Sequence, residues 1–282
     1  MKSIAILLTT YNSAKYLREQ IDSILSQTYK EWQLFIHDDM SQDETMSIIS
    51  SYEEKDPRIH FLNDTVQRGS AGSFMWMLEQ VYANYYMLCD HDDVWLPQKI
   101  ESSLLAMLSS EKNNTSNPLI VACDAKIVDA KLNILNNSFW KHCHTRRKYF
   151  TDKYYYLFYN NIPGCTMMLN NAARLVSLPF REGAFIHDSW IIASVLWNGG
   201  SIITINQPLM LYRLHDSNLI GSKESPSLFE QVLNIRKLTV TTRQRYYTAT
   251  TFTDMSFLHY LLLKSKYLLL FHWERLIDKN TN

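Results

Sequence analysis

The stretch YYMLCDHDDVWLPQKI, residues 85–100, sets an apolar run directly before Asp90, Asp92 and Asp93, then closes with Trp95, Pro97 and Lys99. An apolar run that stops abruptly at acids reads as a strand buried on both faces, the kind found in parallel sheets. The residues after Pro97, QKIESSLLAMLSSE, have helical spacing. A buried strand, an acidic turn and a helix in succession make one unit of an α/β fold. Three carboxylates in four positions repel one another, so a positive partner is expected beside them.

Working outward, the same unit repeats. SIAILLTT (3–10) reads as a buried strand and SAKYLREQIDSILSQT as a helix, with Ser13 the expected N-cap. WQLFIHDD is a second strand ending in Asp38 and Asp39. SQDETMSIISSYEEKD is a helix whose Ser41 and Glu44 fit a capping box. IHFLND is a short strand, AGSFMWMLEQVYA a helix, and YYMLCD the fourth strand. This alternation predicts a mostly parallel sheet with helices on both faces, and ligands collect at the carboxyl ends of such strands. Those ends hold Thr9 to Asn12, Asp38 with Asp39, and Asp90 to Asp93. Later, LIVACDAKIVDA reads as a strand running into another, CTMML as a strand, FIHDSWIIASVLWNGG as a helix closed by glycine, and SIITINQPLMLYR as a strand. From Ser227 onward the pattern is helical.

Hydrophobic residues make up 46% of the 282, enough for a large core. Lys+Arg and Asp+Glu are both 28, so the chain lacks the basic excess of a bulk nucleic-acid binder. The four Cys form no CxxC pair. HCHTRR (142–147) has no second ligand cluster in sequence, which reads against a zinc site. No signal peptide is expected from the opening MKSIAILLTTYN, and no apolar stretch reaches the ~20 residues of a membrane span. FLHYLLLKSKYLLLFHW (257–273) comes nearest and is interrupted by Lys264, Ser265 and Lys266. Its Trp, Tyr and basic residues also suit a helix lying on a membrane. No G-x-G-x-x-G follows the first strand, which disfavours a dinucleotide-binding oxidoreductase.

Hard divalent cations prefer carboxylate oxygens, and Mg²⁺ or Mn²⁺ is held by one or two carboxylates together with substrate phosphates. An Asp-x-Asp array at a sheet's carboxyl edge therefore points to a metal-bound diphosphate. LLTTYN, IHDDMSQDET, NDTVQRGSAGSF, CDHDDVWLPQKI, NIPGCTMMLNN, FIHDSW and LYRLHDSNLIGS follow one another over residues 3–221. In this order and spacing they resemble glycosyltransferase family 2, inverting enzymes of the GT-A fold, and most nearly its rhamnosyltransferase-like branch. His91 stands where that branch usually has Gln.

The resemblance implies a Rossmann-like nucleotide-diphospho-sugar transferase with a mixed, mostly parallel sheet flanked by helices. It implies a GT-A domain over 1–221 and a helical extension over 222–282. Thr9, Tyr11 and Asp39 would hold the nucleoside, with Arg68 shaping the nucleotide pocket and Asp90 facing the ribose or donor sugar. Asp92 would ligate Mg²⁺ or Mn²⁺, His215 would be a further ligand or phosphate contact, and Arg213 would assist the departing diphosphate. Asp93 would orient Asp92, and Asp38 would end its strand. Asp188 would be the catalytic base, alternatively the N-cap of its helix; Trp190 would belong to the core or shape the acceptor pocket.

The implied reaction moves a sugar from a nucleotide-sugar, dTDP-L-rhamnose or a UDP-sugar, to a saccharide or lipid-linked saccharide acceptor. The implied setting is bacterial cell-surface polysaccharide synthesis, in the cytoplasm or at the inner face of its membrane. Two rival readings stand beside it. A metal-dependent phosphohydrolase would use the HD pairs at 37–38, 91–92, 187–188 and 215–216; a non-catalytic relative would bind the nucleotide-sugar only.

Overall fold

The computed structural model describes residues 3–112, 116–181, 183–184, 186–215 and 235–280. Its first half alternates as expected. Strand β1 (Ile4–Thr10) is followed by α1 (Leu17–Leu25), β2 (Trp32–Asp38), α2 (Thr45–Glu53), β3 (Ile59–Phe61), α3 (Gly69–Gln80) and β4 (Tyr85–Asp90). The short β5 (Val94–Trp95) then leads into α4 (Lys99–Glu111). Every residue of β1 is buried, as an uninterrupted apolar run requires when helices cover both faces.

The second half comprises β6 (Leu119–Val128), β7 (Ile134–Asn136), α5 (Phe139–His142), three short 3₁₀ turns, β8 (Met167–Asn170) and α6 (Asn171–Val176). It continues with α7 (His187–Trp197), β9 (Ser201–Arg213), α8 (Ile235–Ala249) and α9 (Phe257–Asn280). The sheet order is β3-β2-β1-β4-β8-β6-β9-β5, with β7 beside β6. The extended pairings β1 with β2, β1 with β4, and β6 with β9 are parallel. The short pairings that join the two halves through β8 are antiparallel. LIVACDAKIV is one strand, not two, and shifts register against β9 around Asp124.

Two expected caps differ. Ser13 lies outside α1, and its hydroxyl accepts from the Tyr11 N–H (3.0 Å). Ser41 and Glu44 form no capping box. Ser41 Oγ instead accepts from Asn12 N–H (2.7 Å) and donates to Asp38 (2.6 Å). In both cases the hydroxyl is taken by the loop between strand and helix, which is where a ligand would lie.

The helical extension packs through aromatic rings. Tyr260 is fully buried against Phe158 (4.7 Å between centroids) and donates to Leu157 O (3.2 Å). The boundary expected at 221/222, and the helical reading of 227–234, lie outside the described residues.

Candidate active site

The register of the parallel strands sets the floor of the site. Thr9 is level with Asp90 on one side and His37 on the other, and Thr10 is level with Asp38. At the β2 end the acids are fully engaged by the chain itself. Asp38 accepts from Thr10 Oγ1 (2.7 Å), Ser41 N–H (2.7 Å) and Ser41 Oγ (2.6 Å). Asp39 accepts from the N–H groups of Arg68 (2.6 Å) and Gly69 (3.0 Å), so it holds the start of α3. Gly69 sits at φ +67, a conformation a side chain would strain. Arg68 pairs with Asp64 (2.5 Å) and lies over the Trp76 ring. Tyr11 is half exposed above this floor, and Thr9 is buried in it.

The β4 end is arranged differently. Asp90 is pushed up to about 7, first by burial and then by the charges of Asp92 and Asp188. Asp93 is pushed well above the usual carboxylate range by burial and by Asp92 and Asp90. Its Oδ1 accepts from Arg213 N–H (3.1 Å), while its buried Oδ2 has no hydrogen-bond partner among the described residues. Asp92 Oδ2 lies 2.8 Å from His215 Nε2, across 123 residues of sequence.

The guanidinium of Arg213 is buried, donates to Asp92 O (2.7 Å), Ala130 O (2.9 Å) and Glu19, and stacks on Tyr16. It ties the acidic turn to α1 and to the segment after β6.

Lys99 was in the opening stretch with no role assigned. It is fully buried, donates to Cys165 O and Met210 Sδ (3.1 Å), and sits over Trp95 (4.1 Å). Its charge acts to lower Asp90. Part of the positive charge that the acids demand is therefore built into the protein. The legible signal was a lysine on the first turn of a helix that directly follows the acids.

Asp188, from α7, is near enough for its charge to act on Asp90. The N-cap of α7 is Ile186, so Asp188 is a first-turn residue and not the cap. Helix dipole and end N–H groups favour an anion there. The approach depends on Gly164, where a Cβ would meet His187 Nε2 at 2.7 Å and Leu88 Cδ1 at 3.4 Å. Trp190 belongs to the core: it is buried, donates to Ser177 O (2.7 Å) and packs on Phe180 and Phe252. Arg245 of α8 is a residue the sequence did not single out. It lines a small cavity with Ser189 and Thr248, and the Asp188 charge acts on it. No local motif marks it, because α7 and α8 are far apart in the sequence.

The donor set can be tested against a hard divalent cation. Asp90, Asp93 and Cys165 hold ligand atoms within 4.8 Å of one another, but burial raises the Cys165 thiol far above its ordinary value. A protonated thiol is a poor ligand for Mg²⁺ or Mn²⁺. Asp92 and His215 are the better pair, an oxygen and an imidazole nitrogen converging beside the crowded acids Asp90 and Asp93. These residues fit such an ion.

The family model described as Glycosyl transferase family 2 matches residues 5–175. The chain belongs to glycosyl transferase family 2. Its fold is GT-A, as in its structural neighbours. The dTDP-rhamnosyl transferase RfbG of Shigella flexneri is 26% identical over 230 residues, covering 77% of this chain and 75% of that protein. The putative teichuronic acid biosynthesis glycosyltransferase TuaG of Bacillus subtilis is 31% identical over 105 residues, covering 37% of this chain and 42% of that protein. The Escherichia coli UDP-Glc:alpha-D-GlcNAc-diphosphoundecaprenol beta-1,3-glucosyltransferase WfgD is 32% identical over 113 residues, 40% of this chain and 43% of that protein. The chain spans about two fifths of the length of the first curated relatives it matches.

Among solved structures, S. aureus TarS 1-349 with UDP-GlcNAc superposes at TM-score 0.61 and 17% identity, covering 95% of this chain and 72% of that one. The mannosyltransferase PcManGT from Pyrobaculum calidifontis, with GDP-Man and Mn2+, superposes at 0.60 and 14% identity, covering 93% and 68%.

Proposed function

We propose that this family 2 chain is an inverting glycosyltransferase that moves a sugar from a nucleotide-sugar to an acceptor hydroxyl, in bacterial cell-surface polysaccharide synthesis. One observation carries the reading: a first-turn acid of α7, Asp188, is close enough to the acidic turn after β4 for its charge to raise Asp90. An attacking hydroxyl and a departing diphosphate must lie on opposite sides of one anomeric carbon, so the base and the phosphate-binding acids have to share a cleft.

In this reading the nucleoside rests on the β1 and β2 ends, with Tyr11 against the base and Thr9, Asp39 and Arg68 around it. Asp90 faces the ribose or the sugar. Asp92 and His215 would hold Mg²⁺ or Mn²⁺, which when bound supplies fixed positive charge for the leaving diphosphate. Asp93 and Arg213 keep the Asp92 turn in place. Asp188 takes the proton from the acceptor hydroxyl, a contribution of typically ~10²–10⁴-fold.

The similarity to RfbG supports dTDP-L-rhamnose as a donor to try first, and the TarS fold supports UDP-sugars. The similarity to WfgD supports a saccharide linked to a lipid diphosphate as acceptor, met at the inner face of the cytoplasmic membrane. The test is a panel of nucleotide-sugars, scored for Mn²⁺-dependent binding and for glycoside product. Free sugar or phosphate released without glycoside would favour the phosphohydrolase reading. Binding with no turnover on any acceptor would favour the non-catalytic one.

A further inference from the structure

We infer that Tyr16 is a positioning residue for the Asp92–His215 pair: its ring holds the His215 imidazole at the tilt from which Nε2 meets Asp92. Tyr16 stands directly before α1 and is 7% exposed. Its ring centroid lies 5.0 Å from that of His215, with 37° between the planes. That separation is within the range of a true aromatic contact. Arg213, two positions before His215 in the chain, places its guanidinium carbon 4.4 Å from the same centroid. A cation at that distance is attracted by the ring face. One side chain from the first half of the chain thus grips the end of β9 twice.

The grip bears on both members of the pair. His215 lies two residues beyond the end of β9, so the sheet ladder does not set its side chain. An imidazole offers its lone pair in the plane of the ring, so the tilt of the ring decides whether Nε2 converges with an Asp92 oxygen. The observed convergence is 2.8 Å. Arg213 holds the other member, since its Nε donates to Asp92 O (2.7 Å) and its N–H to Asp93 Oδ1 (3.1 Å). The Tyr16 hydroxyl is not what makes these contacts. It is buried and has no hydrogen-bond partner among the described residues, whereas a buried phenol kept for its hydroxyl would have one. The ring carries the role.

The inference rests on the reading of Asp92 and His215 as ligands of a divalent cation, and the experiment separates the two. Mn²⁺ alone is titrated into the 282-residue chain, and the free ion is followed by electron paramagnetic resonance. Groups that orient a metal-binding histidine typically cost 10–100-fold in affinity when removed, so Y16L should weaken Mn²⁺ binding about tenfold. Y16F keeps the ring and loses only an unpartnered hydroxyl, so it should stay within about twofold of the wild type. H215A should weaken Mn²⁺ as well, and Y16L/H215A should be no weaker than H215A, because Tyr16 acts through His215. A general loosening of the fold would instead add to H215A. Y16M carries the same comparison if Y16L does not fold. If H215A weakens Mn²⁺ and the Tyr16 variants do not, or if they weaken it equally with and without His215, this inference is overturned and the ligand reading stands. If H215A leaves Mn²⁺ affinity unchanged, the ligand reading falls and takes the inference with it.

Discussion

The turns after β2 and β4 look alike in sequence, each an acidic cluster at the end of a buried parallel strand. They are opposites in structure. Asp38 and Asp39 receive hydroxyl and backbone N–H donors from the chain itself. Half-buried Asp90 and buried Asp93 are crowded and pushed upward, with one carboxylate oxygen of Asp93 unsatisfied among the described residues. Acids that receive donors from their own loop can stay ionised without a cation, while acids short of donors are costly to ionise unless positive charge is supplied. The buried Lys99 supplies part of it, acting to lower Asp90, and in the proposed function a bound cation supplies the rest.

The contrast can be broken most directly at Asp188, which belongs to the second cluster through space. Asp188→Asn should cut transfer by about 10²–10⁴-fold, read by product formation, and leave metal-dependent nucleotide binding intact. Unchanged turnover would remove it from the mechanism. Asp92→Asn should cost roughly 10²–10³-fold in transfer and, unlike Asp188→Asn, abolish the effect of Mn²⁺ on nucleotide affinity in calorimetry. On the other turn, Asp38→Ala should destabilise the fold by about 1–3 kcal/mol in denaturant unfolding, because three donors lose their acceptor. The thermal shift produced by Mn²⁺ should survive that substitution; if it vanishes, the two turns are not separable.

The smallest effect is in pH. Asp90 lies at about 7, above its unfolded value, so the folded chain binds that proton more tightly. Its contribution to stability is full below about 4 and is lost as pH rises through about 7. The metal-free protein should therefore melt a few degrees lower at pH 8 than at pH 5.5 on this account, roughly as expected for a change of one kcal/mol or so in a chain of this size. Mn²⁺ should restore more at pH 8, where Asp90 is ionised. A metal effect that is equal at both pH values would argue against an ion held beside Asp90.

Much of the fold was legible because it is written in local periodicity. The run YYMLCD and the helix after Pro97 are found where they were expected, as are β1, β2 and α3. The caps were misread at Ser13 and Ser41, since a hydroxyl before a helix can serve either the helix or the neighbouring loop. The partners of Arg213 were not legible, because Asp92, Ala130 and Glu19 come from three separate segments.

By itself, then, the sequence determined the alternation of strands and helices, the acids at the strand ends and the family they announce. Hydrophobic period and side-chain chemistry are carried residue by residue along the chain. The tertiary structure alone decided which acids receive donors, that His215 closes on Asp92, and that the charges of Lys99 and Asp188 act on Asp90. Those facts depend on distances between segments far apart in sequence, and on the burial that turns a neighbouring charge from a weak influence into a strong one.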